Sequence, residues 1–265
     1  MRFSISNIAW EAKDDEYILA MLPQHGVDAL EIAPTRVIPE LPYKHLDQAA
    51  AFKSELLEKT GLDICSMQSI WFRRTESIFG SQEEVDTLIE YTKEAILFAE
   101  TVGCPNLVFG SPKNRIVPEG RSGDEAIPFF QEIGAFAYHH GTAIALEAVP
   151  PSYGTNFLNL TSDLYAYVRK VNTPGLMMNL DCGTMLVNGE DVRDVEKYIE
   201  CINHVHISEN QLAGIEERPE HKVLVDTLRR ADYNKAVSIE MRNQGDPEKV
   251  LRIVDYVHGV ISAGF

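Results

Sequence analysis

The stretch INHVHIS, residues 202–208, places two histidines two positions apart in a run that is typical of a β-strand. Because successive side chains of a strand point to opposite faces, His204 and His206 share one face with Ile202. Val205 and Ile207 occupy the other face. This strand therefore needs an apolar layer on one side and a polar, ionisable environment on the other.

The same alternation recurs at 143–148, 176–181 and 236–241. In each stretch one set of alternate residues is aliphatic, and the other set is small or polar and has a carboxylate near the end of the strand. These carboxylates are Glu147, Asp181 and Glu240. The pattern is typical of parallel strands whose C-terminal ends carry the chemistry.

Eight such apolar runs alternate with stretches of helical periodicity. One helix is predicted to begin at a Ser81/Glu84 capping box and to end at Gly103, and the last helix is predicted to begin at Asp246 and Pro247. The predicted strands are RFSIS (2–6), DALEIA (28–33), LDICSMQ (62–68), NLVFG (106–110), AIALEA (143–148), LMMNLD (176–181), INHVHIS (202–208) and AVSIEM (236–241).

Eight strands that alternate with helices, without a Gly/Ser-rich linker, predict an α/β fold with a single (β/α)₈ TIM barrel over residues 1–265. The alternative is a doubly wound α/β domain with one extra unit. A Rossmann-type domain of that kind would carry GxGxxG after its first strand, and this chain has none there. In the barrel, the polar strand faces point inward and the strand ends meet at one mouth.

Glu147, Asp181, His206 and Glu240 would converge at that mouth. Three buried carboxylates beside an imidazole are costly to desolvate unless a cation compensates them. We therefore predict that these four residues bind one divalent metal ion. Their oxygen-rich set favours Mn²⁺, with Mg²⁺, Co²⁺ or Zn²⁺ as alternatives. His204, one layer deeper, is predicted to orient a carboxylate or the substrate, with a purely structural role as the alternative.

Composition argues against other partners. The chain has 24 Lys and Arg against 40 Asp and Glu, a formal charge of −16 without a basic patch, so we expect no nucleic-acid partner. No apolar run approaches the roughly 20 residues of a membrane span, and MRFSISNIAW lacks a signal-peptide core. We expect a cytoplasmic protein without membrane contact. Its four cysteines lack CxxC spacing and are expected to be reduced core thiols.

The chain resembles the xylose isomerase-like TIM-barrel superfamily, the sugar phosphate isomerases and epimerases. The resemblance extends over essentially the whole chain and rests on LEAVPP with Glu147, NLDCGTM with Asp181, HVHISE with His206 and YNKAVSIEM with Glu240. It implies an enzyme with the same four metal ligands and a small-molecule carbohydrate substrate. Barrels of this superfamily often pair, so the resemblance allows a homo-oligomer without identifying an interface.

The resemblance further implies an isomerase or epimerase of a small sugar, sugar phosphate or polyol derivative. In the ketose 3-epimerase branch, glutamates matching Glu147 and Glu240 lie on opposite faces of the reacting carbon. One would remove a proton next to a carbonyl bound to the metal, giving an enediolate, and the other would return a proton. Return to the same carbon gives an epimer, and return to the neighbouring carbon gives an aldose–ketose isomer.

Two positions depart from the epimerase pattern. Thr184 stands where those enzymes usually have a substrate-binding histidine, three residues after the aspartate. About six residues after His206, where they have an arginine, this chain has QLAG, and its first basic residue there is Arg218. These departures concern how the substrate is bound.

Four further residues are predicted to bind substrate. The stretch GSPKNR after the fourth strand places Lys113 and Arg115 at the mouth, where they would bind a phosphate or carboxylate. A solvated loop with local ion pairs is the alternative. Glu31, on the inward face of the second strand, is expected to line the cavity and accept hydrogen bonds from hydroxyl groups. Gln68 has a similar place on the third strand.

Three other functions fit the same barrel. A lyase, such as a dehydratase of a keto-inositol or keto-acid, would begin with the same proton abstraction. An apurinic-site endonuclease would need extra histidines where the chain has Glu31, Gln68 and Trp71, and the negative charge argues against it. A sugar-binding barrel without turnover would still bind its ligand after Glu240→Gln.

Overall fold

A computed structural model describes residues 1–263 and contains a closed barrel of eight parallel strands in sequence order. β1 pairs with β8, with Ser4 opposite Ser238, and this pairing closes the barrel. The strands lie where they were predicted, so the (β/α)₈ barrel is confirmed. They are β1 (Arg2–Ser6), β2 (Ala29–Ile32), β3 (Asp63–Met67), β4 (Leu107–Phe109), β5 (Ile144–Glu147), β6 (Leu176–Asp181), β7 (Ile202–Ser208) and β8 (Ala236–Glu240).

Helices lie in the connections between the strands and cover the outside of the barrel. Within residues 1–263, no helix is both long enough and apolar enough to cross a membrane. After β6 a short helix is followed by a ten-residue 3₁₀ segment, Val192–Cys201, in place of one long α-helix. The α-helices are α1 (Asp15–Met21), α2 (Pro34–Val37), α3 (Leu46–Thr60), α4 (Gln82–Val102), α5 (Ile127–His139), α6 (Thr161–Val171), α7 (Cys182–Asn188), α8 (Pro219–Arg230) and α9 (Pro247–Ser262).

The predicted helix signals are confirmed. The side chain of Ser81 accepts a hydrogen bond from the backbone N–H of Glu84, and the carboxylate of Glu84 accepts one from the backbone N–H of Ser81. Helix α4 ends at Gly103, whose φ of 70° is left-handed. Asp246 caps α9, which begins at Pro247. Local sequence therefore determines where these helices begin and end.

The two faces of the strands are buried in different surroundings. Val205 and Ile207 belong to the apolar core between the strands and the helices. The inside of the barrel is polar and hydrogen-bonded: Nε2 of Gln68 donates to Oγ of Ser6 at 3.0 Å. Its buried polar residues include Ser4, Ser6, Glu31, Ser66, Gln68, Asn179, His204, His206, Ser238 and Glu240.

The four cysteines, all in the described part of the chain, are buried and free. Burial raises the pKa of Cys65 to about 12. The prediction of core thiols is confirmed.

Candidate metal centre and active site

Four ionisable side chains from consecutive strands meet at the C-terminal mouth of the barrel. Glu147, Asp181 and Glu240 end β5, β6 and β8, and His206 lies near the end of β7. Nδ1 of His206 lies 3.3 Å from Oε1 of Glu147, 3.3 Å from Oε2 of Glu240 and 3.9 Å from Oδ2 of Asp181. One ligand atom from each residue lies within 4.8 Å of the others. The structure thus brings together the four predicted metal ligands, which form the ligand cluster.

The charges of the ligand cluster do not balance. Burial raises the pKa of Glu147, Asp181 and Glu240, and repulsion between these carboxylates raises it further. Burial alone would lower the pKa of His206, but the surrounding carboxylates, Glu31 first among them, raise it well above its ordinary value. Three buried carboxylates and one imidazole leave an excess of negative charge that a divalent cation would neutralise.

The donor set fits a divalent ion. Carboxylate oxygens with one imidazole nitrogen suit hard or borderline cations such as Mg²⁺ and Mn²⁺. Donors about 2.1 Å from an ion at right angles lie about 3 Å apart. The two 3.3 Å separations around Nδ1 of His206 are close to this value.

Asp181 is held in a defined orientation. Its side chain caps α7, where Oδ1 accepts from the backbone N–H of Thr184 at 2.5 Å. Oδ2 accepts from Oγ of Ser208 at 2.6 Å, and that hydroxyl accepts from the backbone N–H of Gly183 at 3.1 Å. Glycine is required at 183, since a Cβ there would lie 2.5 Å from Oγ of Ser208. These contacts prepare Asp181 to serve as a ligand.

The two glutamates are held less firmly than Asp181. Nδ2 of Asn179 donates to Oε1 of Glu147 at 2.6 Å. Gly110 leaves room for this carboxylate, because a Cβ there would lie 2.9 Å from Oε2 of Glu147. Among the described residues, only His206 faces the carboxylate of Glu240 as a charged partner. Sequence reasoning missed Asn179, although it lies on the inward face of its strand two residues before Asp181.

A second layer lies beneath His206. Nε2 of His206 lies 2.9 Å from Oε2 of Glu31. Nε2 of His204 lies 3.2 Å from the same oxygen, without the geometry of a hydrogen bond. Burial would raise the pKa of Glu31, but the charge of His206 and the contacts with both histidines lower it. Glu31 therefore lies under the ligand cluster and not on the cavity wall where it was expected, and His204 lies beside it.

A cavity of about 170 Å³ lies over the ligand cluster. Its wall includes Glu147, Asp181, Glu240 and the predicted Gln68. Among the described residues no Lys or Arg lines it, and Glu209 adds a further carboxylate. The remaining wall is neutral and includes Ser69, Ser111, Val149, Tyr153, Thr184 and Asn210. This lining suits the hydroxyl groups of an uncharged ligand.

Lys113 and Arg115, the two cations of GSPKNR, lie outside the cavity wall. Lys113 is exposed on a 3₁₀ turn, Pro112–Asn114. Arg115 is fully buried, and its Nη2 donates to the carbonyl oxygen of Glu147 at 2.8 Å. Burial lowers its pKa to about 10. Arg115 therefore contacts the backbone at the end of β5, and Lys113 faces solvent.

The loop that follows β7 closes one side of the cavity. The hydroxyl of Tyr153 accepts from the backbone N–H of Gln211 at 2.6 Å and links this loop to the loop after β5. Arg218, the first basic residue after His206, donates from Nε and Nη2 to Glu209 at 2.7 and 2.8 Å. The nearest arginine in sequence is therefore already paired with a carboxylate of the cavity wall.

Comparison with known proteins identifies the family. Residues 19–254 match the family model described as xylose isomerase-like TIM barrel. The chain belongs to the xylose isomerase-like TIM barrel family. No curated protein sequence matches it. The resemblance inferred from the four strand motifs is confirmed.

Solved structures share this xylose isomerase-like barrel along almost their whole length. D-psicose 3-epimerase from Clostridium cellulolyticum H10, solved with D-tagatose, is 14% identical with a TM-score of 0.80 and covers 98% of this chain and 99% of its own. 3-Keto-D-glucoside 4-epimerase YcjR from E. coli is 17% identical with a TM-score of 0.76, and the match covers 97% of this chain and 99% of that protein. The IOLI protein with a bound zinc atom is 17% identical with a TM-score of 0.73, and the match covers 100% of this chain and 99% of that protein. At such identities the likeness establishes a common fold.

Proposed function

We propose that this protein is a divalent-metal-dependent isomerase or epimerase of a small, uncharged sugar or polyol derivative. The observation that carries the proposal is the placement of Glu147 and Glu240 in one cavity with Asp181 and His206 between them. Two fold relatives are sugar epimerases, which supports the reaction class. Mn²⁺ as the ion, a cytoplasmic location and a homo-oligomer remain predictions.

The proposed reaction begins with removal of a proton next to a carbonyl. A divalent cation held by the ligand cluster would polarise that carbonyl and stabilise the negative charge that develops as the proton leaves. Glu147 and Glu240 would transfer the proton. They end β5 and β8, with β6 and β7 between them, so they approach the cavity from different sides. This placement allows removal from one side and return from the other.

The contacts of the three carboxylates support different proposed roles for them. Asp181 accepts from Thr184 and Ser208 and is suited to a fixed ligand. Glu240 faces His206 and lacks such fixed donors within the described chain, and burial raises its pKa above its ordinary value, which makes its carboxylate a stronger base. Glu147 is intermediate, because Asn179 holds one of its oxygens. We therefore infer that Glu240 is the main proton carrier.

The cavity wall favours an uncharged substrate over a sugar phosphate. A phosphate group is normally bound by Arg, Lys or clustered backbone N–H groups. Here the described wall offers Glu209 and neutral groups such as Tyr153 and Thr184, while Lys113 and Arg115 lie elsewhere. A phosphate on the substrate would meet added negative charge without a compensating cation.

The test is solvent deuterium incorporation into a panel of ketoses, keto-glucosides and keto-inositols and their phosphate esters, followed by mass spectrometry. We expect exchange into an unphosphorylated compound that requires Mn²⁺, stops with chelator and is lost in Glu240→Gln. Glu119→Gln, on an exposed loop, removes the same charge and should retain exchange. Loss of water from the substrate would identify a lyase instead. Stoichiometric metal binding without exchange into any compound would refute the proposed reaction.

A further inference from the structure

We propose that Glu31 is a positioning residue for the metal site. By accepting a hydrogen bond from the Nε2–H of His206, it would keep the proton on Nε2 and leave Nδ1 available to ligate a metal ion. The inference rests on the proposed function, because it concerns the metal of that site. It gives Glu31 a role that differs from the substrate contact expected from the sequence.

The first argument is the geometry of the imidazole. A neutral histidine carries a proton on one ring nitrogen, and the other can ligate a metal. Nδ1 of His206 faces the carboxylates of Glu147 and Glu240, whereas Nε2 lies 2.9 Å from Oε2 of Glu31. The two nitrogens therefore have distinct environments. A carboxylate acceptor at Nε2 selects the tautomer that can ligate through Nδ1.

The second argument is the burial of Glu31. Its side chain is fully buried. It reaches His206 across the barrel, because β2 is not adjacent to β7. Its Oε1 has no hydrogen-bond partner among the described residues. A buried carboxylate with an unpaired oxygen is costly to fold, and an interior with apolar residues in place of Glu31, His204 and His206 together would pack at lower cost. Stability therefore gives no reason for this buried group of a carboxylate and two imidazoles. Orientation of a metal ligand does.

The experiment measures Mn²⁺ affinity of the metal-free protein by competition with a chelating dye. Glu31→Gln is expected to weaken binding by about 10–100-fold, the usual effect of losing a partner that orients a metal ligand. Glu31→Asp keeps the charge but shortens the side chain and should also weaken binding. Asp28→Asn, three residues earlier and exposed, removes the same charge and should change affinity by less than about twofold.

A second readout does not depend on any variant. In the Zn²⁺-loaded wild type, ¹⁵N NMR of the histidines should show His206 with its proton on Nε2 and its metal-bound nitrogen as Nδ1. The opposite tautomer, or unchanged Mn²⁺ affinity in both Glu31 variants, would overturn the role of Glu31 while leaving the metal site intact. A wild type that binds no divalent ion would instead refute the proposed function itself.

Discussion

Gly183→Ala tests whether α7 packs against β7 as the structure describes. The new Cβ would lie 2.5 Å from Oγ of Ser208 and 2.9 Å from that residue's carbonyl carbon and oxygen. Part of the clash is with backbone, so a side-chain rotation cannot relieve it. The start of α7 must therefore move away from β7. That movement would separate Asp181 from the groups that hold it.

The expected cost follows from the packing and the hydrogen bonds. Adding a methyl group to a tightly packed site typically costs about 1–3 kcal/mol. Loss of one of the bonds that Asp181 accepts from Thr184 or Ser208 would add about 1.5–3 kcal/mol, because the acceptor is charged. For a chain near this size, each kcal/mol lowers the melting temperature by about 2–4 °C. Mn²⁺ affinity should fall as well, since Asp181 is a proposed ligand.

The matched control is Gly259→Ala. Gly259 lies inside α9, and a Cβ there would meet nothing within 4 Å. The same substitution should stabilise the protein by about 0.4–1 kcal/mol, because alanine loses less conformational entropy in a helix. Thermal unfolding followed by circular dichroism, with Mn²⁺ titrations of both variants, provides the measurement. A Gly183→Ala protein as stable as the control, with unchanged Mn²⁺ affinity, would refute the described packing.

Three further predictions address the ligand cluster and the core. Burial raises the pKa values of the three carboxylates of the cluster, so protons compete with the metal over a higher pH range than usual. Mn²⁺ affinity should therefore fall as the pH is lowered from 8 to 5, and calorimetric titrations that show a constant affinity would contradict this. Ser208→Ala should cost about 2–4 kcal/mol and weaken Mn²⁺ binding, because the Gly183 N–H and the Asp181 carboxylate both lose their partner. The exposed Ser54→Ala should shift stability by less than about 0.5 kcal/mol. The thiols should be inert in the native protein, since burial raises the pKa of Cys65 to about 12 and the other cysteines are buried too. Rapid reaction with Ellman's reagent at pH 8 before unfolding would show that the cysteines are accessible and would contradict this prediction.

The barrel and the ligand cluster could be predicted from the sequence because both depend on the two-residue alternation of side chains along a strand. Side chains alternate along every strand, so the inward placement of Asp181 and His206 follows from the positions of their aliphatic neighbours. The same rule placed Glu147 and Glu240 at strand ends. Asn179 also lies on the inward face by this alternation. A single amide in an apolar strand does not by itself indicate a contact with Glu147 on the neighbouring strand.

Glu31 and Arg115 lie elsewhere than the sequence predicted, because their positions depend on geometry that local sequence patterns do not encode. Glu31 faces inward as expected, but its depth relative to His206 depends on the stagger of strands across the barrel. A register shift between β2 and β3 occurs directly at Leu30 and Glu31. Arg115 turns into the protein directly after the 3₁₀ turn Pro112–Asn114, and the residue before that turn, Ser111, has a left-handed φ of 36°. Neither feature has a signature in the alternation of polar and apolar residues.

The polar interior links the stability of this barrel to its chemistry. Barrels of this class usually fill their interior with layers of bulky aliphatic side chains. Here the interior holds Ser4, Ser238, His204 and Glu31, so hydrophobic stabilisation is exchanged for hydrogen bonds and buried charge. Such an interior depends on the pairing of its polar groups. Replacement of Glu31 alone by an apolar residue would leave Nε2 of His206 buried without its acceptor, so the stability of the barrel and the geometry of the metal site depend on the same contact.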